Sequence, residues 1–337
     1  MTNWTIAVDA MGGDFAPRNI VQGAIAARRE YGVTLALVGR EAELHRELGP
    51  EASRIEIVDA PEVVAMDEPA LTPIRKKKKS SIRVAAEMVK QGRASGFVSA
   101  GNTGASMATA KLIWGCLDGV DRPALATVLP TATGVSVLLD AGANVECRPE
   151  HLVQFAVMGH VYAKAVLKID NPRVGLMSIG EEDLKGNDLT REAYRVLKES
   201  RLIKFIGNVE GRHVFNGDAD VIVTDGFTGN VALKVSEAVA EALGLMIRQE
   251  MTRTVFSRLA YFVSRSALAR FKKRVDYGEY GGAPLLGLNA VAIICHGRSS
   301  SKAVKNAIRV AHDFISRGSN ERINEGIREL ASVGQQA

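Results

Sequence analysis

The chain has 337 residues, 46% apolar and 24% charged, with 32 glycines and only 5% aromatics. That balance excludes a disordered, collagen-like or coiled-coil protein, and the length suggests about two lobes at ~150 residues per domain. Lys and Arg number 43 against 38 acids, a net +5 that admits an acidic partner without demanding nucleic acid.

Short β-branched runs alternate with amphipathic stretches along the chain. Thr5–Val8, Leu35–Val38, Ile55–Val58 and Phe97–Ser99 read as buried strands, with helices near Asn19–Tyr31, Ile82–Lys90 and Met107–Trp114. Ala124–Leu129 and Gly134–Leu139 have no helix between them, which predicts an antiparallel piece. Strands at Val174–Ser178, Lys204–Ile206 and Val221–Thr224 follow, with helices near Pro149–Val166 and Leu189–Lys198. The alternation predicts an α/β protein, a mostly parallel sheet with helices on both faces. No repeat or Gly/Ser-rich linker divides residues 1–337, so a single domain of two intertwined lobes is expected.

Cys116, Cys147 and Cys295 are scattered and odd in number, which points to a reducing compartment. The N-terminus lacks a basic, then apolar leader, and the longest uncharged runs fall short of the ~20 residues of a membrane span. A cytoplasmic protein is expected. The six histidines show no HExxH spacing, and no metal is expected. Cys295 and His296 are neighbours on a strand and face opposite ways, so they do not form a nucleophile–base pair.

Four predicted strands run into polar, glycine-bearing loops: 9–14 (DAMGGD), 100–104 (AGNTG), 179–187 (IGEEDLKGN) and 225–230 (DGFTGN). In open α/β sheets, ligands sit outside the carboxyl ends of strands, so all four loops are expected to converge on one crevice. Glycines let backbone N–H groups approach an anion, and the 101–104 and 226–230 loops lead into helices whose N-termini favour negative charge. GxGxxG after these strands, GxxxxGK[ST] and GxSxG are all missing, which argues against dinucleotide, P-loop and serine-nucleophile chemistry. Lys185, at a predicted strand end, offers a point charge to an anionic substrate.

Together the loops resemble the phosphate acyltransferase (PlsX) family. The matching stretches include AVDAMGGD (7–14), SAGNTGA (99–105), DRPALATVLPT (121–131), LLDAGANVECRPEHLVQFAVMG (138–159), GEEDLKGNDLT (180–190), FIGNVEGR (205–212), VTDGFTGNVALK (223–234) and YGGAPLLGLNA (280–290). They run in family order across nearly the whole chain. Lys79 departs from the family's common Asp, and Val291 from its frequent Pro. The resemblance implies a fold like the isocitrate/isopropylmalate dehydrogenases and phosphotransacetylases, and a homodimer. It implies transfer of a long-chain acyl group from acyl carrier protein to inorganic phosphate, with no cofactor. The acyl phosphate would then feed a membrane glycerol-3-phosphate acyltransferase in phospholipid synthesis.

On that basis Asn102, Thr103 and Gly104 are expected to cradle phosphate, with Gly226 in the second cradle and Lys185 neutralising phosphate or the oxyanion. Asn187, Asp225 and Asn230 are expected to orient these groups, and Asp9, Gly12 and Gly13 to shape the opposite wall. The run Arg75, Lys76, Lys77, Lys78 and Lys79 suits an acidic carrier protein. Residues 248–275 carry Phe256, Leu259, Phe262 and Val263 at helical spacing among many cations. Such a basic amphipathic helix or hairpin suits peripheral attachment to an anionic membrane at the inner face of the cell, or burial in a dimer interface. Two rivals remain open: a phosphotransacetylase acting on short acyl-coenzyme A, and a non-enzymatic scaffold. Nucleic acid is not an expected partner, because the basic residues lack interleaved aromatics.

Overall fold

The computed structural model describes residues 4–275 and 277–334. Among them eleven strands form one sheet: β1 (Thr5–Asp9), β2 (Thr34–Gly39), β3 (Glu56–Asp59), β4 (Gly96–Ser99), β5 (Ala124–Pro130), β6 (Val135–Leu139), β7 (Arg173–Met177), β8 (Lys204–Val209), β9 (Val221–Val223), β10 (Ala283–Leu286) and β11 (Val291–Ile294). The helices are α1 (Arg18–Tyr31), α2 (Glu41–Leu48), α3 (Thr72–Arg75), α4 (Ser81–Lys90), α5 (Thr103–Trp114), α6 (Pro149–Ala165), α7 (Asp188–Glu199), α8 (His213–Asn216), α9 (Gly226–Arg253), α10 (Val255–Val275), α11 (Ser301–Ser316) and α12 (Ser319–Gly334). Every strand expected from the sequence is present, and β5 pairs antiparallel with β6.

The sheet order is β3-β2-β1-β4-β11-β10-β5-β6-β9-β7-β8. The first five strands are mutually parallel, and β6, β9, β7 and β8 form a second parallel block. Between the blocks, β10 and β5 are each antiparallel to both neighbours. The second block therefore runs opposite to the first. The carboxyl ends of β1 and β4 therefore lie on the opposite sheet edge from those of β7 and β9, and of the four loops expected at one crevice only those after β4 and β9 meet there.

Side chains alternate between two apolar layers because successive strand residues point to opposite faces. Ile6 and Val8 belong to one layer with Ile20 of α1, Val304 of α11 and, over the second block, Phe155 of α6, whereas Ala7 and Val38 belong to the other with Ile82 of α4 and Ala105 of α5. Helices thus cover both faces, as the alternation predicts.

One excursion leaves this body. Helix α9 buries only Gly226, Gly229 and Leu233, and α10 buries none of residues 255–274. Thr254, in an extended conformation, separates the two helices and caps the second through Ser257 N at 3.1 Å. Helix α10 returns to the body, where Arg274 donates to the carbonyls of Thr131 (2.8 Å) and Ala132 (2.6 Å). The basic segment expected at 248–275 is thus the end of α9 and all of α10, a helical hairpin. Among the described residues no helix is long and apolar enough to cross a membrane.

Candidate active site

The loops after β1 and β4 are locked to each other. Asp9 is completely buried and accepts from Ser99 Oγ (2.7 Å) and Met11 N (3.2 Å). Burial raises its carboxyl above the usual range, against hydrogen bonds from Ser81 and Ser99 that favour the charged form. A Cβ on Gly12 would collide with Asp9 and sit 2.6 Å from Gly101 N, so only glycine allows this approach. Asn102 caps α5, its Oδ1 accepting from Ala105 N at 2.9 Å. Its Nδ2 donates to the carbonyls of Met66 (2.9 Å) and Glu68 (2.8 Å), with Ala65 at 3.3 Å, and so pins the 65–68 segment beside the first turn of α5.

The loops after β6 and β9 form a second locked pair around Asp140. Its carboxylate accepts from the backbone N–H groups of Leu125, Gly142, Ala143 and Asn144, and from Asn144 Nδ2. Gly229 passes so close to the Asp140 carbonyl that any Cβ would overlap it. Asp225 caps α9, accepting from Thr228 N (2.9 Å) and Thr228 Oγ1 (2.7 Å). Gly226 is buried against the backbone of Asn144.

Between these pairs, over β5 and β10 where strand direction reverses, lies a crevice of about 430 Å³. That is a size common for small-molecule sites. Thr103 and Gly104 reach it from the first turn of α5, and Asn230 and Lys234 from the start of α9. The first N–H groups of a helix lack intrahelical acceptors, so the start of α5 brings partial positive charge to the cavity, while α9 brings side chains from beyond its first turn. Glu237 also lines it, with Oε2 2.9 Å from Lys234 Nζ and Oε1 3.1 Å from His296 Nε2. Burial pushes the Glu237 carboxyl up, but the bonds from His296 and Lys234 prevail and bring it down to about 2.

Of the residues expected at the site, Thr103, Gly104 and Asn230 line the crevice. Asp9, Gly12, Gly13, Asn102, Asp225 and Gly226 stand behind its wall, where they hold loops and cap helices. Lys185 is exposed on the loop after β7 and is not part of the lining. The reason is strand order: β7 lies outside β9, away from β5 and β10. Asn187 caps α7 through Thr190 N at 3.0 Å. In the same loop Glu181 pairs with Arg212, and Asp183 with Lys198 at 2.5 Å. Of the basic run, Lys77 is engaged internally by Glu68 and the Val63 carbonyl (2.7 Å), leaving Arg75, Lys76, Lys78 and Lys79 exposed. Cys295 is buried, which pushes its thiol up to about 12 and removes thiolate character.

Sequence reasoning missed Lys234, Glu237 and His296. A signal for the first two was present: Asn230, Lys234 and Glu237 fall at positions i, i+4 and i+7, one stripe of a helix. His296 follows a strand too short to stand out.

A family model described as "Fatty acid synthesis protein" matches residues 4–322. The phosphate acyltransferase of Geotalea uraniireducens is 51% identical over 96% of this chain and 94% of its own length. That of Geobacter sp. (strain M21) is 53% identical over 96% and 93%. The chain belongs to the phosphate acyltransferase family. It is an acyltransferase. Among solved structures, a phosphotransacetylase from Streptococcus pyogenes is similar in fold (TM-score 0.65, 16% identity, covering 93% of this chain and 94% of that one). A branched-chain phosphotransacylase from Enterococcus faecalis is similar too (TM-score 0.55, 13% identity, covering 93% and 99%). In this acyltransferase, the crevice between the starts of α5 and α9 is the candidate active site.

Proposed function

We propose that the protein transfers a long-chain acyl group from an acyl-carrier-protein thioester to inorganic phosphate, yielding acyl phosphate for phospholipid synthesis. The observation that carries this reading is the match to phosphate acyltransferases at about half identity over nearly the whole chain. The geometry agrees with the chemistry. Phosphate is already anionic near neutral pH, so attack on a thioester needs orientation, relief of charge repulsion and oxyanion stabilisation more than a strong base.

In this reading phosphate attacks the thioester directly, without an acyl-enzyme. The N–H groups at Thr103 and Gly104 receive phosphate, and Asn230 with Lys234 faces the developing oxyanion from α9. Asn102, Asn187 and Asp225 act through the helix ends they cap, and Asp9, Gly12 and Gly13 through the loop pair behind the wall. Lys185 is kept as a cation offered from the neighbouring loop. Its replacement by Ala is expected to lower turnover about 10²-fold, the scale of losing one electrostatic contact. Near-normal turnover in folded Lys185→Ala would leave Lys234 as the cation of the site.

The exposed cations Arg75, Lys76, Lys78 and Lys79 follow the 65–68 segment that Asn102 pins to α5. An acidic carrier protein drawn to them would arrive beside the crevice. On α10, Phe256, Leu259, Phe262 and Val263 are exposed among Arg258, Arg265, Arg270, Lys272 and Lys273, with no acid in the helix. This composition suits the surface of an anionic bilayer, to which a long-chain product also partitions. On α9, Val235, Val239, Leu243 and Met246 form an exposed stripe suited to a second copy of the chain, hence a homodimer. A membrane glycerol-3-phosphate acyltransferase would consume the product.

The test is phosphate-dependent thiol release from palmitoyl carrier protein, with acetyl-coenzyme A run beside it. Release with the former and detection of acyl phosphate supports the reading. Release with acetyl-coenzyme A alone moves the assignment to a short-chain phosphotransacylase, and silence with both refutes acyl transfer to phosphate.

A further inference from the structure

The crevice holds an ionisable cluster that phosphate binding alone does not use. His296 sits on its wall with Nε2 3.1 Å from Glu237 Oε1, and the other carboxylate oxygen holds Lys234 at 2.9 Å. The backbone around the imidazole is fixed at three points. Cys295 N donates to the Ser99 carbonyl (2.8 Å), Asp14 N to the Gly297 carbonyl (2.8 Å) and Ser299 N to the His296 carbonyl (3.0 Å). The loops after β1 and β4 thus set the position of this side chain. Glu237 stays ionised, with its carboxyl held down to about 2.

The reaction proposed above contains one proton transfer. A phosphate oxygen bonds to the acyl carbon, the carbon–sulfur bond breaks, and the sulfur keeps the electron pair. From hydrogen phosphate dianion and thioester, the products are acyl phosphate dianion and neutral thiol, so one proton passes from phosphate to sulfur. While the proton stays on the phosphate, hydrogen phosphate dianion is a weaker base than an alkyl thiolate, so the tetrahedral intermediate expels phosphate and reverts. Protonation of sulfur turns the collapse forward.

We infer that His296 carries this proton, its imidazole taking it from the attacking phosphate and giving it to the departing sulfur while Glu237 holds the ring. This rests on the functional reading above. An imidazole backed by a carboxylate is a common donor–acceptor in such transfers, which contribute about 10²–10⁴-fold. Lys234, on the same carboxylate, keeps Glu237 in place.

The test uses the full chain and palmitoyl carrier protein. His296→Ala is expected to lower phosphate-dependent thiol release about 10²-fold in a chain that still unfolds cooperatively, its urea midpoint falling only by the lost contact to Glu237. Added imidazole is expected to restore at least about tenfold of that loss above the enzyme-free background. His296→Gln can still bond to Glu237 but cannot carry a proton, and is expected to stay as slow as His296→Ala. Near-normal turnover of His296→Gln would overturn the inference, because the contact alone would then suffice. So would a folded His296→Ala that imidazole does not rescue. Silence of the unmodified chain would instead overturn the functional reading itself.

Discussion

Replacing Asn102 by Asp separates two jobs that one side chain performs. Asp and Asn are about equally good N-caps, so a residue that only caps α5 tolerates this exchange. Asn102 also donates from Nδ2 to the Met66 and Glu68 carbonyls at 2.9 and 2.8 Å, in a position only 8% exposed. In Asn102→Asp, a carboxylate oxygen faces those carbonyls and leaves them without a donor, at about 1–3 kcal/mol for each buried group left unpaired. Two such groups give about 2–6 kcal/mol, toward the lower end because both bonds are only partly buried. Asn102→Ala loses the cap, about 1 kcal/mol, and two hydrogen bonds at about 1 kcal/mol each, for about 3 kcal/mol. Urea unfolding measures both, with the midpoint falling at constant slope. An Asn102→Asp midpoint equal to that of the unmodified chain would refute the reasoning and reduce Asn102 to a cap.

Other consequences follow from the charged groups. The Glu237 carboxyl is lowered from 4.5 to about 2 in the fold, so between those values the unfolded chain binds more protons. Its contribution is full above about pH 4.5 and is lost as pH falls toward 2. Glu237→Gln should flatten acid destabilisation in that window, and an unchanged profile would dispose of the pairing with His296 and Lys234. Replacing Arg75, Lys76, Lys78 and Lys79 by Ala should weaken carrier-protein binding and its dependence on salt, whereas Lys77→Ala should chiefly lower stability through Glu68 and Val63. Equal binding by the fourfold variant at low salt would count against this docking surface. Phe256→Asp with Phe262→Asp should abolish flotation with phosphatidylglycerol vesicles while leaving turnover of soluble carrier substrate near normal. Undiminished flotation would remove α10 from the membrane reading.

Much of the fold was legible because strands covered on both faces are nearly unbroken apolar runs, as in Val174–Met177 or Ile6–Val8. The strand order around the crevice was less so. The reversal itself is the β5–β6 antiparallel pair, which the sequence announced, but β10, a four-residue strand carrying Pro284, was not, because proline cannot donate to the ladder and argues against a central strand. Its pairings with β11 and β5 are both antiparallel and leave the relative direction of the blocks unchanged. Nor does the chain announce that β7 lies outside β9, which puts Lys185 on a loop that does not line the crevice. Asn102, Asn187 and Asp225 were expected to cradle or orient substrate and each caps a helix, because a polar residue before a helix gives the same signal whether it caps or binds substrate. Glu237 and His296 come together only through tertiary packing, and no spacing in the chain announces that pair.

The hairpin leaves and re-enters the body within the crevice itself. Glu237 and Lys234 line it on the way out along α9, and Gly278, Tyr280, Gly281 and Gly282 line it after α10 has come back. The returning strand of wall is tied down, with Arg274 on the 131–132 carbonyls and Asn306 donating to the Gly278 carbonyl at 2.9 Å. The outgoing strip belongs to a 28-residue helix, about 40 Å long at ~1.5 Å per residue, buried only near its start. Mechanically this is a cantilever: its root is clamped, Gly226 against the Asn144 backbone and Gly229 against the Asp140 carbonyl, and the length past Leu233 overhangs. The clamp holds Asn230 and Lys234 at the crevice and leaves the overhang to meet another surface.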